Sequence, residues 1–325
     1  MIPNKLKPGD EIRVIAPARS MAIVSDEVKK IAEARLKELG FKVSYGKHIY
    51  EKDDFNSSSV ASRVEDLHDA FGDKDVKGIL TVLGGFNSNQ LLRNIDYNLI
   101  KKNPKILCGY SDITALQNTL YAKTGLVTYS GPHFSTFGMK KGFEYTLEYF
   151  KKCLIDSKKY DVLASKEWSN DPWYKEQDKR EFIKNEGYYV INPGKAEGTI
   201  IGGNVGTFNL LQGTEFMPSL KDSILFVEDD SESKAHHFDR DLLSLIYQPG
   251  FESVRGIIIG RFEKTSEMTN KLVYQIIKSK KELEGIPVIY GADFGHTTPQ
   301  LTFPIGGRAK LSALSKKASI EISKH

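Results

Sequence analysis

Ser111, Glu228 and His296 are three side chains whose chemistry could be combined into one nucleophile, base and acid. Ser111 lies in Gly109-Tyr110-Ser111-Asp112-Ile113-Thr114. The apolar run Ile106-Leu107-Cys108 before it reads as a buried strand, and Ala115–Tyr121 after it carries apolar residues at helical spacing. A serine at such a strand-to-helix turn is held exposed, with the N–H groups of the new helix close by to stabilise developing negative charge. A plain helix cap suits the same position.

A serine nucleophile needs a base, and the base needs a partner that holds its tautomer. Of seven histidines, His296 stands out in Gly291-Ala292-Asp293-Phe294-Gly295-His296-Thr297-Thr298-Pro299, just past the strand-like Pro287–Tyr290. Its flanking glycines and proline place it in a loop at a strand end. His236 and His237 open a predicted helix, and their spacing matches no common zinc site. Glu228 closes the apolar run Leu225-Phe226-Val227 and is the candidate acid. Asp229, Asp230 and Glu232 follow it, so the cluster could equally cap the helix expected near Lys234.

Gly84-Gly85-Phe86-Asn87 follows a buried strand, where glycine lets a backbone N–H approach a carbonyl oxygen closely. An ordinary strand-to-helix turn also favours glycine there. Asp112, next after the serine, is placed to offer a second N–H. The glycine pair lacks Gly-x-Gly-x-x-Gly spacing, and no Gly-Lys-Ser/Thr occurs, so dinucleotide and P-loop motifs are set aside.

These residues need a scaffold, and strand-like and helix-like segments alternate through the first half. Glu11–Ala16, Phe41–Tyr45, Gly78–Leu83 and Ile106–Cys108 read as strands. Ser25 and Ser59 cap the helices between them. Alternation of this kind predicts a parallel sheet covered by helices, with ligands at the carboxyl ends of its strands, where Gly84, Gly85 and Ser111 all fall. From about Lys151 to Pro193 the chain turns polar and aromatic without a clear period, and both tryptophans, Trp168 and Trp173, lie there. Long irregular stretches in compact proteins are commonly functional loops or linkers. Strands at Ile224–Val227 and Gly256–Ile259, helices at His236–Ile246 and Thr269–Leu283, and closing strands at Gly307–Leu314 and Ala318–Ile322 are predicted beyond it. The expected division is an N-terminal α/β domain over 1–155, a linker and recognition loop over 156–190, and a C-terminal domain over 191–325.

At 325 residues the chain can bury two ordinary cores. Its 46 basic and 42 acidic side chains leave +4, far from the basic surface of a nucleic-acid binder. No stretch is apolar enough to span a bilayer. The start has no apolar signal core, and Cys108 and Cys153 sit in apolar settings, so a cytoplasmic protein with reduced thiols is expected.

Taken together, Gly84-Gly85, Gly109–Thr114, Gly202-Gly203-Asn204, Phe226–Asp229 and Gly291–His296 resemble the serine LD-carboxypeptidases, in that family's order and over nearly the full length. The resemblance implies a flavodoxin-like N-terminal domain, a smaller C-terminal α/β domain, and an active site in the cleft between them. It implies a catalytic triad of Ser111, Glu228 and His296, an oxyanion hole of Gly85 and Asp112, no metal or other cofactor, and a homodimer. Gly84 and Asn204 are expected against the substrate. Within the family, the segment Trp168–Trp173 looks like the microcin C self-immunity branch, which cleaves the amide between an aminoacyl or peptidyl group and a modified nucleotide. There an inserted loop carries an aromatic ring that stacks on the base; Trp173 is the first choice here and Trp168 the second. Two alternatives stand beside this: a murein tetrapeptide LD-carboxypeptidase that releases D-alanine, and a non-catalytic cytoplasmic ligand-binding protein with a two-domain cleft. Partners are expected to be small molecules, with no nucleic acid and no membrane.

Overall fold

The protein is represented by a computed structural model that describes residues 1–314 and 317–325. In the first half, β1 (Glu11–Ile15), β2 (Lys42–Tyr45), β3 (Val76–Thr81), β4 (Ile106–Gly109) and β5 (Thr128–Ser130) pair in parallel. Their order is 2-1-3-4-5, the doubly wound arrangement of flavodoxin-like sheets. Helices α1 (Asp26–Glu38), α2 (Val60–Gly72), α3 (Tyr97–Lys102), α4 (Ile113–Thr124) and α5 (Glu144–Leu154) cover it. Ser25 and Ser59 cap α1 and α2 as expected, their hydroxyls accepting from the Val28 and Ser62 N–H groups at 3.3 and 3.0 Å.

The polar segment after α5 is more regular than its composition suggests. It holds β6 (Tyr160–Val162), β7 (Glu167–Trp168), β8 (Ile183–Lys184) and β9 (Tyr189–Asn192). β7 and β8 form a small antiparallel pair, whereas β6 and β9 are the two edges of an eight-stranded sheet. Strands of two to four residues are too short to display a period of two, so they leave no mark on the sequence.

The rest of that sheet is β10 (Gly194–Asn204), β11 (Ser223–Glu228), β12 (Gly256–Gly260), β13 (Val288–Ala292), β15 (Arg308–Leu314) and β16 (Lys317–Lys324), in the order 6-16-15-10-11-12-13-9. β10 to β13 run parallel, with α6 (Val205–Asn209), α7 (Ala235–Ile246) and α8 (Asn270–Lys278) between them. α8 is shorter than the helix expected over Thr269–Leu283. The Ser279 hydroxyl bonds back to the Ile276 carbonyl at 2.9 Å, and Lys280 leaves the helical conformation.

β14 (Phe303–Ile305) departs from its neighbours in sequence and pairs antiparallel with β5, so a C-terminal strand completes the first sheet. Phe303 then packs on Phe226 and Phe294 of the second half, at ring centroid distances of 4.7 and 5.1 Å. α4 is the other junction. Every residue from Ile113 to Leu120 is buried, because the first sheet lies on one side and the second half on the other. The Asn118 amide donates to the Gly202 carbonyl at 2.8 Å, and the Asn204 N–H donates to the Thr114 hydroxyl at 3.1 Å. The carboxyl end of β10 is thereby fastened to the helix that follows Ser111.

Candidate active site

Ser111 sits between the end of β4 and the start of α4 with a φ of +62°. A non-glycine residue in the left-handed region costs about 1–3 kcal/mol and persists only where its surroundings impose it. The turn does not use Ser111 as a helix cap; Asp112 occupies the cap position without a side-chain capping bond. The Ser111 hydroxyl instead lies 2.9 Å from His296 Nε2, and His296 Nδ1 lies 2.9 Å from Glu228 Oε2.

Each partner arrives from a different strand end. Glu228 is the last residue of β11 and is buried. His296 follows β13 in a loop whose Gly295 has a φ of +106°; a Cβ on Gly295 would meet Glu228 Oε2 at 2.7 Å. Glycine is required there both by backbone conformation and by the approach to the carboxylate. The expected glycine loop lies opposite. A Cβ on Gly84 would stand 3.0 Å from the Ser111 Cβ and Oγ, and one on Gly85 would press on Ala18 and Arg19.

The buried carboxylate of Asp112 accepts from the Asn87 and Ser88 N–H groups at 3.1 and 2.9 Å. Ser88 Oγ donates to the Asp112 carbonyl at 2.6 Å. Burial pushes the Asp112 carboxyl above its ordinary value, opposed by those N–H donors and by Arg63. Its side chain therefore locks the glycine loop to the serine turn.

The electrostatics centre on His296. Burial pulls its pKa down, but the charge and hydrogen bond of Glu228, with Asp230 and Glu263 behind, lift it to about 9. Asp229, next to Glu228, is pushed up to about 7 by burial and by its acidic neighbours. Burial likewise raises Glu263, with His296 opposing. Behind the serine, Tyr110 meets His296 edge-on at 5.4 Å and lies against His133 at 4.4 Å. His133 is buried and held down at about 3 by that burial, with His296 adding to it, so its ring is neutral.

Asn204 lies near this centre, but its side chain is already engaged. It caps α6 through the Thr207 N–H at 2.9 Å and donates to Asp229 at 3.3 Å. Trp168 packs on the guanidinium of Arg261 at 4.9 Å and beside Lys264 at 5.8 Å. Trp173 is half-buried against the core, edge-on to Tyr174 at 6.0 Å, and Tyr174 is the more exposed ring at 62%. Reading the sequence for indoles passed over Tyr174, and it assigned nothing to Glu263, Tyr110 or His133. For three of them the one visible signal was position: Tyr110 directly follows β4, and His133 and Glu263 each lie three residues past the ends of β5 and β12.

Residues 12–131 match the LD-carboxypeptidase N-terminal domain, and residues 197–311 match the LD-carboxypeptidase C-terminal domain. YocD of Bacillus subtilis, which carries a provisional carboxypeptidase name, is 55% identical over the whole of both chains. The crystal structure of an MccF-like protein from Bacillus anthracis superposes with a TM-score of 0.99 at 57% identity, again over both full chains. The microcin C7 self-immunity protein MccF in complex with aspartyl sulfamoyl adenosine superposes with a TM-score of 0.89 at 30% identity, covering 100% of this chain and 99% of its own. By both domain matches and by full-length likeness, the chain belongs to the LD-carboxypeptidase family.

Proposed function

We propose that this hydrolase is a serine peptidase that cleaves the amide between an aminoacyl or peptidyl group and a modified nucleotide, and so confers immunity to microcin C-type compounds. The observation that carries the chemistry is the unbroken chain from Ser111 through His296 to Glu228, with both links at 2.9 Å. Ser111 Oγ attacks the carbonyl carbon while His296 Nε2 takes its proton, and Glu228 stabilises the imidazolium that results. The N–H groups of Gly85 and Asp112 receive the oxyanion. His296 then gives its proton to the leaving nitrogen, the amide C–N bond breaks, and water releases the acyl group from Ser111 by the reverse sequence.

Two observations support the choice of substrate. The structural neighbour MccF was captured with aspartyl sulfamoyl adenosine. The aromatic pair Trp173 and Tyr174 belongs to the segment whose Ser169 exchanges backbone hydrogen bonds with Thr298, two residues past His296. A ring on that loop is the element that would stack on the base, with Asn204 and Gly84 lining the acyl side. The protein acts in this reading as a cytoplasmic homodimer on a small-molecule substrate, which size-exclusion chromatography with light scattering tests for the assembly.

The deciding experiment offers aspartyl sulfamoyl adenosine and murein tetrapeptide side by side. Cleavage of the first without release of D-alanine from the second is expected. The opposite preference would make the protein a cell-wall LD-carboxypeptidase, and turnover of neither would leave only the ligand-binding alternative.

A further inference from the structure

The loop between Ser165 and Asn185 is fastened to both halves of the protein. On the N-terminal side, Gln177 Nε2 donates to the Gly138 carbonyl at 2.9 Å and Gln177 Oε1 accepts from the Lys140 N–H at 2.8 Å. Arg180 Nη1 donates to the Lys141 carbonyl at 2.8 Å. On the other side the loop grips the turn that carries His296. Ser169 and Thr298 exchange two backbone hydrogen bonds, the Ser169 N–H to the Thr298 carbonyl at 2.7 Å and the Thr298 N–H to the Ser169 carbonyl at 3.0 Å.

Asp293, three residues before His296, is fully buried and accepts further bonds from both ends of the loop. It accepts from the Ser165 N–H at 2.7 Å, the Ser165 hydroxyl at 3.0 Å and the Asn185 amide at 3.2 Å. Arg261 Nη2 donates to it at 3.2 Å and to Asn185 Oδ1 at 2.8 Å, while the same guanidinium lies against Trp168. A buried carboxylate and guanidinium are weak contributors to net stability, because desolvation offsets their attraction. What such a network does well is hold its members in a single arrangement. Most of the donors that satisfy Asp293 come from the loop.

We infer that Asp293 is a positioning residue: with the Ser169–Thr298 pair it makes the loop and the His296 turn one rigid unit, so that seating the loop sets the base against Ser111 and Glu228. The inference rests on the proposed role of His296 as the base. It extends the function of the loop from contacting substrate to aligning the catalytic imidazole.

The test is the titration of the His296 ring in 15N-histidine-labelled protein without substrate, assigned by the resonance missing in His296→Ala. The groups facing that ring are Glu228, Asp230, Glu263, Tyr110 and, behind Tyr110, His133; Asp293 is not among the charges that chiefly set its ionisation. Asp293→Asn is expected to move the titration down toward the ordinary imidazole value, as the ring loosens from Glu228. Ser165→Ala combined with Asn185→Ala removes the side-chain bonds between the loop and Asp293 while every charge stays in place, and it is expected to move the titration in the same direction. In both variants kcat falls about 10- to 100-fold, as for a misplaced catalytic group, with KM little changed. Phe71→Leu, in the core away from the cleft, serves as the control for a loss of Tm alone. A shift in Asp293→Asn without one in the double variant would reduce the effect to direct charge and overturn the coupling. Lowered Tm with an unmoved titration and unchanged kcat in both would make the network merely structural. Because the titration is read on free enzyme, its result stands whichever substrate the protein cleaves.

Discussion

His296 Nε2 lies 2.9 Å from Ser111 Oγ although 185 residues separate them in the chain. The hydroxyl is carried by the first sheet and the imidazole by the second, and α4 with the end of β10 holds the two together. Ser111→Ala removes the proposed attacking atom and little else. Turnover is expected to fall by about 10⁴-fold or more, while binding measured calorimetrically stays close to wild type. Near-normal turnover by this variant would exclude a serine mechanism.

The raised pKa of His296 predicts the direction of the pH profile. As the proposed base, His296 must be neutral to accept the serine proton, so kcat/KM should climb with pH along a limb near 9 and fall away toward neutrality. Burial alone would depress the imidazole; Glu228 outweighs it. Glu228→Gln should therefore move the limb down toward roughly 6.5 and lower the plateau about 10²- to 10⁴-fold. The same raised value stabilises the fold: its contribution is complete below about 6.5 and is lost as pH rises through the folded value. A wild-type limb below neutrality, or one unmoved in Glu228→Gln, contradicts this account.

Gly295 combines a φ of +106° with a Cβ position 2.7 Å from the Glu228 carboxylate. Gly295→Ala is expected to cost about 1–3 kcal/mol of stability from the backbone alone. Displacement of Glu228 should also lower kcat and shift the pH limb downward. Denaturant unfolding and a pH profile on the same preparation measure the two effects separately. An alanine variant with wild-type stability and profile would show that the loop has room to relax.

Substitutions on the aromatic loop discriminate between substrates. Stacking on a base is worth about 1–3 kcal/mol by alanine substitution, so removing the operative ring should raise KM for aspartyl sulfamoyl adenosine by roughly 10- to 100-fold. Trp173→Ala and Tyr174→Ala are the variants to compare, since Tyr174 is the more exposed of the two rings. Trp168→Ala should act chiefly through Arg261, on which that ring rests. Equal losses on a murein peptide would remove the stacking argument.

Much of the first sheet was legible because its central strands β3 and β4 are almost wholly buried and two of its helices begin with Ser25 and Ser59, both local signals. The glycine pair, the serine turn and the histidine loop were legible for a related reason: close backbone approach restricts residue type over a few positions. β6 and β9 were not legible, since short edge strands in a polar stretch carry no pattern. Nor was β14, whose exchange into the first sheet depends on Phe303 finding Phe226 and Phe294.

By itself the sequence determined the local devices, namely strands, caps, tight turns and the identities of serine, glutamate and histidine, because each depends on neighbours a few residues away. Only the tertiary structure decided that Ser111 is strained and free of capping duty, that Asp112 locks the glycine loop, and that Asn204 is occupied with α6 and Asp229. It also decided that acidic groups from separate loops gather around one imidazole. Those outcomes depend on distances between distant segments, and distance through space is set by packing two sheets against α4, which no window of sequence contains.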